Sequence, residues 1–213
     1  MLAIPFNYGV AMKKMILSLA LVCGFLGLFV QAQADEVRVG VMVHDAKVFE
    51  DLIFGGVHGK EQSISISGDY VWDSPDWLSW AMHARPYVGG TVNLEGNTSH
   101  GGAGLLWRFD LGKTKKLYLE TGFGLVAHTG TVRVPNPIDA TTPEDVAARF
   151  VRKRSEIEFG SSILFRSEFA LGRRFNEKWA GEIVFEHLSH GQILGGPENE
   201  GSNNLGVRFA RRF

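Results

Sequence analysis

Trp179-Ala180-Gly181-Glu182-Ile183-Val184-Phe185-Glu186-His187-Leu188-Ser189 is the stretch that decides the fold of this chain. Trp179, Ile183 and Phe185 recur at every second or fourth position, and Glu182 and Glu186 fall between them. Successive side chains of a strand point to opposite faces, so a period of two with an apolar row and a charged row is a strand between two different environments.

The same alternation recurs on both sides of this stretch. Upstream, Val37, Val39, Val41 and Val43 alternate with Arg38, Gly40, Met42 and His44, and Ile64, Ile66, Tyr70 and Trp72 alternate with Ser63, Ser65, Ser67 and Asp69. Trp80, Met82, Ala84, Val88, Val92 and Leu94 form a third apolar row. Ala103 to Leu111 and Leu117 to Leu125 form the next two. The sixth row runs Ile157, Phe159, Ile163, Phe165, Phe169, Leu171, and the last runs Leu205, Val207, Phe209, Phe213. Eight strands result, most of them long enough to cross a bilayer when tilted. Charges and glycines keep to one row, as a narrow polar lumen requires, and the other row is aliphatic and aromatic. The expectation is an all-β fold: an eight-stranded antiparallel transmembrane β-barrel with both termini periplasmic. Phe213 closes an alternating strand like the assembly signal of outer-membrane proteins, and Arg211 interrupts the apolar row near a rim where it can snorkel.

The N-terminus supports export. Lys13 and Lys14 precede an uncharged run from Met15 to Val30, which ends at Ala32-Gln33-Ala34 before Asp35. That order is a signal peptide, with Met12 as the expected start and residues 1–34 removed. Cleavage also removes Cys23, the one cysteine, and leaves 20 basic against 23 acidic side chains in a single domain over residues 35–213. Disulfides, thiolate metal sites and nucleic-acid binding are therefore not expected. No later run is apolar enough for a spanning helix, so membrane residence requires a closed barrel.

Short periplasmic turns are expected at 74–78, 112–116 and 174–178. The outer connections are expected at 46–59, near Gly96, at 132–155 and at 190–202. Thr142 with Asp145, and Pro143 between them, mark a helix start in the third outer loop. The basic residues Arg149, Arg152, Lys153 and Arg154 follow, either as a solvated helix end or as a grip on a phosphorylated glycolipid. The other histidines show no metal-ligand spacing, and Gly101-Gly102-Ala103-Gly104 lacks the lysine of a phosphate loop. Arg85, Arg108, Arg166, Glu120, Glu158, Glu168, Glu182 and Glu186 read as a paired plug inside the barrel, because eight strands leave room only for side chains.

The chemistry lies at the end of the opening stretch. His187 and Ser189 continue the apolar row, so an imidazole and a hydroxyl sit side by side where the wall should touch lipid. Polar groups are costly there unless used or satisfied. A neighbouring His and Ser form the base and nucleophile of acyl transfer. Asn203 begins the eighth strand with the same parity and can orient the imidazole; Glu198 and Glu200, in the connecting loop, can also reach, and Glu200 is the alternative orienter.

His187-Leu188-Ser189-His190-Gly191 followed by Pro197-Glu198-Asn199-Glu200-Gly201-Ser202-Asn203 resembles the lipid A 3-O-deacylases, outer-membrane hydrolases that remove the 3-position ester-linked acyl chain of lipid A. The family motif reads His-x-Ser-Asn with an Asn-x-Gly segment downstream. The resemblance implies His187 as base, Ser189 as nucleophile, and Gly191 with Gln192 as backbone donors of the oxyanion hole. Asn199, Phe165, Arg149 and Arg152 are the candidate substrate contacts. It also implies lipid A of the lipopolysaccharide as the membrane partner, no cofactor or metal, residence in the cell outer membrane and a homodimer as one possible assembly. This chain departs from the pattern at His190, in place of Asn, and at Asn203, in place of an acid. The competing readings are a non-enzymatic barrel with structural or adhesive loops, and acyl transfer in place of hydrolysis.

Overall fold

The computed structural model describes residues 35–47 and 59–213; the expected signal peptide and most of the first outer loop lie outside them. Eight antiparallel strands close on themselves in sequence order. They are β1 (Glu36–His44), β2 (Ser63–Val71), β3 (Arg85–Asn93), β4 (His100–Leu111), β5 (Leu117–His128), β6 (Ile163–Arg174), β7 (Trp179–Ser189) and β8 (Ser202–Arg212). Closure is made by β1 against β8, with Val39 opposite Phe209 and Val41 opposite Val207. No helix among the described residues is long and apolar enough to cross a membrane. The strands therefore carry the chain across, and closure pairs the backbone groups that lipid cannot satisfy.

The two rows face as the alternation predicts. Val39, Phe169, Ile183, Val207 and Phe209 are among the most exposed apolar side chains of the wall, as lipid-facing residues of a barrel are. The interior is a lattice of charges. Arg166 donates to Glu186 at 2.5 Å and to Asp69 and Glu168 at 2.9 Å. Arg208 reaches Glu168 at 2.5 Å and Asp69 at 3.2 Å, and also pairs with Glu182. Arg38 joins Glu36 to Glu120 at 2.7 and 2.9 Å. Each carboxylate serves several guanidinium donors, which is what lets so many charges share a dry lumen.

Two expectations are corrected. The third strand begins at Arg85, not Trp80: Asp76–Ala81 form a 3₁₀ helix, and Met82 and His83 follow with φ of 55° each. Left-handed residues cannot continue a pleated strand, so the apolar period of Trp80 and Met82 belongs to a wall-side excursion. The connection at this end is accordingly longer than the turn expected at 74–78. Ile157 and Phe159 do not belong to β6 either. Gly160, at φ +73°, breaks the alternation, and both side chains turn inward to pack with Val126, Leu164 and Leu188 beneath the outer loops. The expected helix forms as α1 (Pro143–Ser155), with the Thr142 hydroxyl accepting from the Asp145 N–H at 3.1 Å. Arg211 lies against the Trp179 and Phe213 rings, 5.6 and 5.0 Å from their centroids, so its stem follows the apolar row while its head stays at the rim.

Replacing one lattice cation should be far costlier than any change on the wall. Arg208→Met strands Asp69, Glu168 and Glu182, and we expect a loss of about 3–5 kcal/mol. Val207→Ile, on the exposed row, should stay within about 0.5 kcal/mol. Urea titration of both variants refolded in lipid vesicles checks the contrast.

Candidate active site

The site is built on one rung of the β7–β8 ladder. His187 lies directly opposite Asn203, and Glu186 opposite Asn204. Alternation places the first pair on the lipid side and the second in the lumen, and both are bonded: His187 Nδ1 lies 2.7 Å from Asn203 Oδ1, and Asn204 Nδ2 donates to Glu186 at 2.7 Å. An amide oxygen can only accept, so the His187 ring carries its proton on Nδ1 and turns the lone pair of Nε2 outward. The register is thus clamped from both faces of the sheet at the same level.

Ser189 is the last residue of β7 and sits opposite Phe165 of β6. Phe165 stacks on Phe123, with ring centroids 5.3 Å apart, which continues the apolar wall to the edge of the serine. Gly201 closes the site from above at φ +65°. A Cβ there would meet the Leu188 carbonyl oxygen at 2.9 Å and His187 Cε1 at 3.3 Å. Only a bare backbone fits over the imidazole and the serine together.

Past Ser189 the chain turns sharply through Gly191 and Gln192, at φ +59° and +56°, and the Ile193 and Leu194 amides return to the His190 carbonyl. Two consecutive left-handed residues place the Gly191 and Gln192 N–H groups on the turn immediately after the serine. His190, the departure from the family motif, points inward and is fully buried. Its Nε2 lies 2.6 Å from the Glu198 carbonyl, and its N–H donates to Asn199 Oδ1 at 3.1 Å. His190 and Asn199 therefore tie the turn to the returning loop.

Glu200, the alternative orienter, does not approach His187 as an acceptor. Its carboxylate takes Lys60 Nζ at 2.5 and 2.7 Å and the Glu158 N–H at 2.9 Å. Geometry brings Asn203 to the imidazole and commits Glu200 to holding the fourth outer loop against the first and third. Arg149 and Arg152 are likewise engaged within their own loop, with Asp145 and Glu156 respectively. Lys153 pairs with Glu158 at 2.7 Å.

Sequence reading missed the support beneath these loops. Glu61 joins three outer connections at once: its carboxylate accepts from the Thr98 and Ile157 N–H groups at 3.0 and 3.1 Å and lies 3.3 Å from His44 Nε2. His44 Nδ1 in turn reaches Asn204 Oδ1 at 2.9 Å, which links the loops to the clamped rung. Nothing local marks Glu61, because its partners are distant in the chain. No group of side chains among the described residues has the makings of a metal site.

This is an outer-membrane-type β-barrel whose outer rim presents a serine and an amide-oriented imidazole toward lipid. A family model for the lipid A 3-O-deacylases (PagL) matches residues 63–212, and the chain belongs to that family. Among solved structures, it resembles the crystal structure of the outer membrane enzyme PagL at 14% identity and a TM-score of 0.53, covering 84% of this chain and 99% of the other. Neisserial surface protein A resembles it at 12% identity and a TM-score of 0.52, covering 84% and 96%. At such identities these likenesses establish the barrel alone. No curated protein sequence matches the chain.

Burial pushes the Glu61 carboxyl upward, but the hydrogen bonds from His44, Thr98 and Ile157 outweigh it and hold the group below its ordinary 4.5. A depressed folded pKa gives stability that is present above that ordinary value and is lost as pH falls through the folded one. Amide exchange at Thr98 and Ile157, corrected for intrinsic rates, should stay slow at neutral pH and accelerate on acidification below 4.5. Glu61→Gln should already exchange faster at neutral pH and show a smaller step.

Proposed function

We propose that the protein is an esterase of the outer leaflet that removes the 3-position acyl chain of lipid A. The observation that carries this is the 2.7 Å contact of Asn203 Oδ1 with His187 Nδ1 on the lipid-facing row, two residues from Ser189. Polar groups on a lipid-facing wall are costly unless they are used, and this amide holds the imidazole with its outer nitrogen free to act.

The reaction follows from the atoms. Ser189 Oγ attacks the ester carbonyl carbon while His187 Nε2 takes its proton, and the carbonyl π electrons move to oxygen. The Gly191 and Gln192 N–H groups receive that oxyanion. Collapse breaks the bond to the sugar 3-oxygen, which leaves as the hydroxyl with the proton from His187, and the acyl chain remains on Ser189. Water, deprotonated by the same nitrogen, then releases the fatty acid and restores the serine. Asn203 fixes the ring throughout but brings no charge to the transient imidazolium. The exposed row from Phe165 to Phe123 offers the acyl chain a surface continuous with the hydrocarbon it leaves. Membership of the deacylase family supports both substrate and bond.

Ser189→Ala should abolish release of the 3-linked acyl chain, read by mass spectrometry of lipid A, while the protein remains a heat-modifiable barrel in the outer membrane. Retained deacylation in that variant overturns the serine mechanism. Asn203→Ala removes one bond from the base, a loss of about 1–3 kcal/mol, or roughly 5- to 150-fold in kcat. Asn203→Asp keeps the shape and adds a charge partner. At a wet rim it should raise kcat by only a few-fold, about 1 kcal/mol.

A further inference from the structure

The 3₁₀ helix Asp76–Ala81 has no part in the chemistry, and it lies at the end of the barrel that carries both strand termini, opposite the site. Its two tryptophans are among the most exposed large apolar side chains of the described residues: Trp77 is 69% and Trp80 81% exposed, and Met82, just beyond, is 70% exposed. A 3₁₀ helix eclipses residues three apart. Trp77 and Trp80 therefore share one edge, and Leu78 and Ala81 share the next. Leu78 is buried at 3% exposure. So the helix has one edge turned to the protein and one that none of the described residues covers.

Its height on the barrel is fixed by a hydrogen bond. Trp107 belongs to the outward row of β4, between Leu105 and Phe109, and its indole Nε1 donates to the Ala81 carbonyl at 2.9 Å. A donor on the lipid-facing row can reach that oxygen only if the helix is draped on the outside of the wall. Trp107 stands four residues before Leu111, where β4 ends. At about 3.3 Å per residue and a tilt near 40°, the carbonyl sits about 10 Å above the strand end. The segment therefore lies on the lipid side of the wall towards its periplasmic end, and the boundary between hydrocarbon and headgroups at that end is where the amphipathic indole is most at home.

We propose that residues 76–82 form an interfacial anchor seated in the glycerophospholipid of the periplasmic leaflet, with Trp77 and Trp80 side by side at the glycerol level and Trp107 holding the segment to the wall. The left-handed pair Met82 and His83, at φ of 55° each, then turns the chain from the interface back into β3. The apolar surface that disqualifies this segment as a water-exposed turn becomes the surface that fixes the barrel's depth at the end away from the substrate.

The test uses nitroxide labels on the full chain in phosphatidylcholine vesicles, in a background where Cys23 is serine. Labels at Trp80→Cys and, separately, Trp77→Cys are compared with Phe169→Cys in the middle of the wall and Lys115→Cys on an aqueous turn. Relative collision rates with oxygen and a water-soluble nickel chelate report depth. Both test labels should fall between the two references. A value equal to that of Lys115 would place the segment in periplasmic water, a value equal to that of Phe169 in the hydrocarbon, and either overturns the proposal. Adding Trp107→Phe should move the label at position 80 at least halfway toward the aqueous reference; an unchanged depth overturns the role assigned to that indole. None of these readings depends on lipid A hydrolysis, so their failure is separate from failure of the deacylase reading.

Discussion

Lipid offers the backbone no hydrogen-bond partner, and that constraint organises the rest of this molecule. A sheet in hydrocarbon cannot leave an edge, so β1 must pair with β8, and eight strands then enclose a space too narrow for water to dominate. The inward row has to fill that space with groups that satisfy one another. Arg166, Arg208 and Arg38 do so by sharing Asp69, Glu120, Glu168, Glu182 and Glu186 among them. No pair in this lattice is independent, since each carboxylate that loses a guanidinium is left charged in a place where charge is costly. The interior is accordingly rigid in register: sliding one strand by a single residue would throw its charges into lipid.

That rigidity is what an exposed site at the rim needs. His187 and Asn203 face lipid and can be held only from behind or from above. From behind, Glu186 and Asn204 occupy the same rung on the inner face and connect it to Arg166 on one side and His44 on the other. From above, Gly201 lies on the imidazole and the serine, and the loop that carries it is held by Glu200 on Lys60 and on the Glu158 backbone. The clamp from the lumen fixes the angle of the imidazole, while the clamp from the loops fixes its cover. Both act through neighbours along the chain, 186 beside 187 and 203 beside 204, so alternation itself transmits the order of the interior to the outer surface.

The parts legible in the sequence are those that alternation encodes. A strand's two faces are written into successive residues, so the polar row, the apolar row and the intrusion of His187, Ser189 and Asn203 into the apolar row could be read directly. Trp80 and Met82 misled because a 3₁₀ excursion can carry apolar residues with the same spacing as a strand, and the left-handed turn at Met82 has no sequence marker where a glycine would have given one. Ile157 and Phe159 misled for a related reason, since their spacing is right but Gly160 redirects the chain before β6 begins. Glu200 looked like an orienter on proximity in sequence. Lys60, which claims it, lies 140 residues away, and no local pattern points from one to the other.

His190 stands where the family motif has an asparagine, and the fold turns it inward. In the family pattern an asparagine follows the serine. In this chain position 190 has the inward parity, so its side chain is buried on the inner side of the wall. The imidazole spans to the Glu198 carbonyl, and the amide of the same residue is held by Asn199. Gly160 leaves room for the ring, since a Cβ there would lie 2.8 Å from His190 Nε2. The larger side chain is therefore accommodated by a bare backbone across the loop and makes a longer reach than an asparagine can. The turn at Gly191 and Gln192 is thereby anchored to the returning loop from both the backbone and the side chain of residue 190, and both attachments lie on the inner side of the wall.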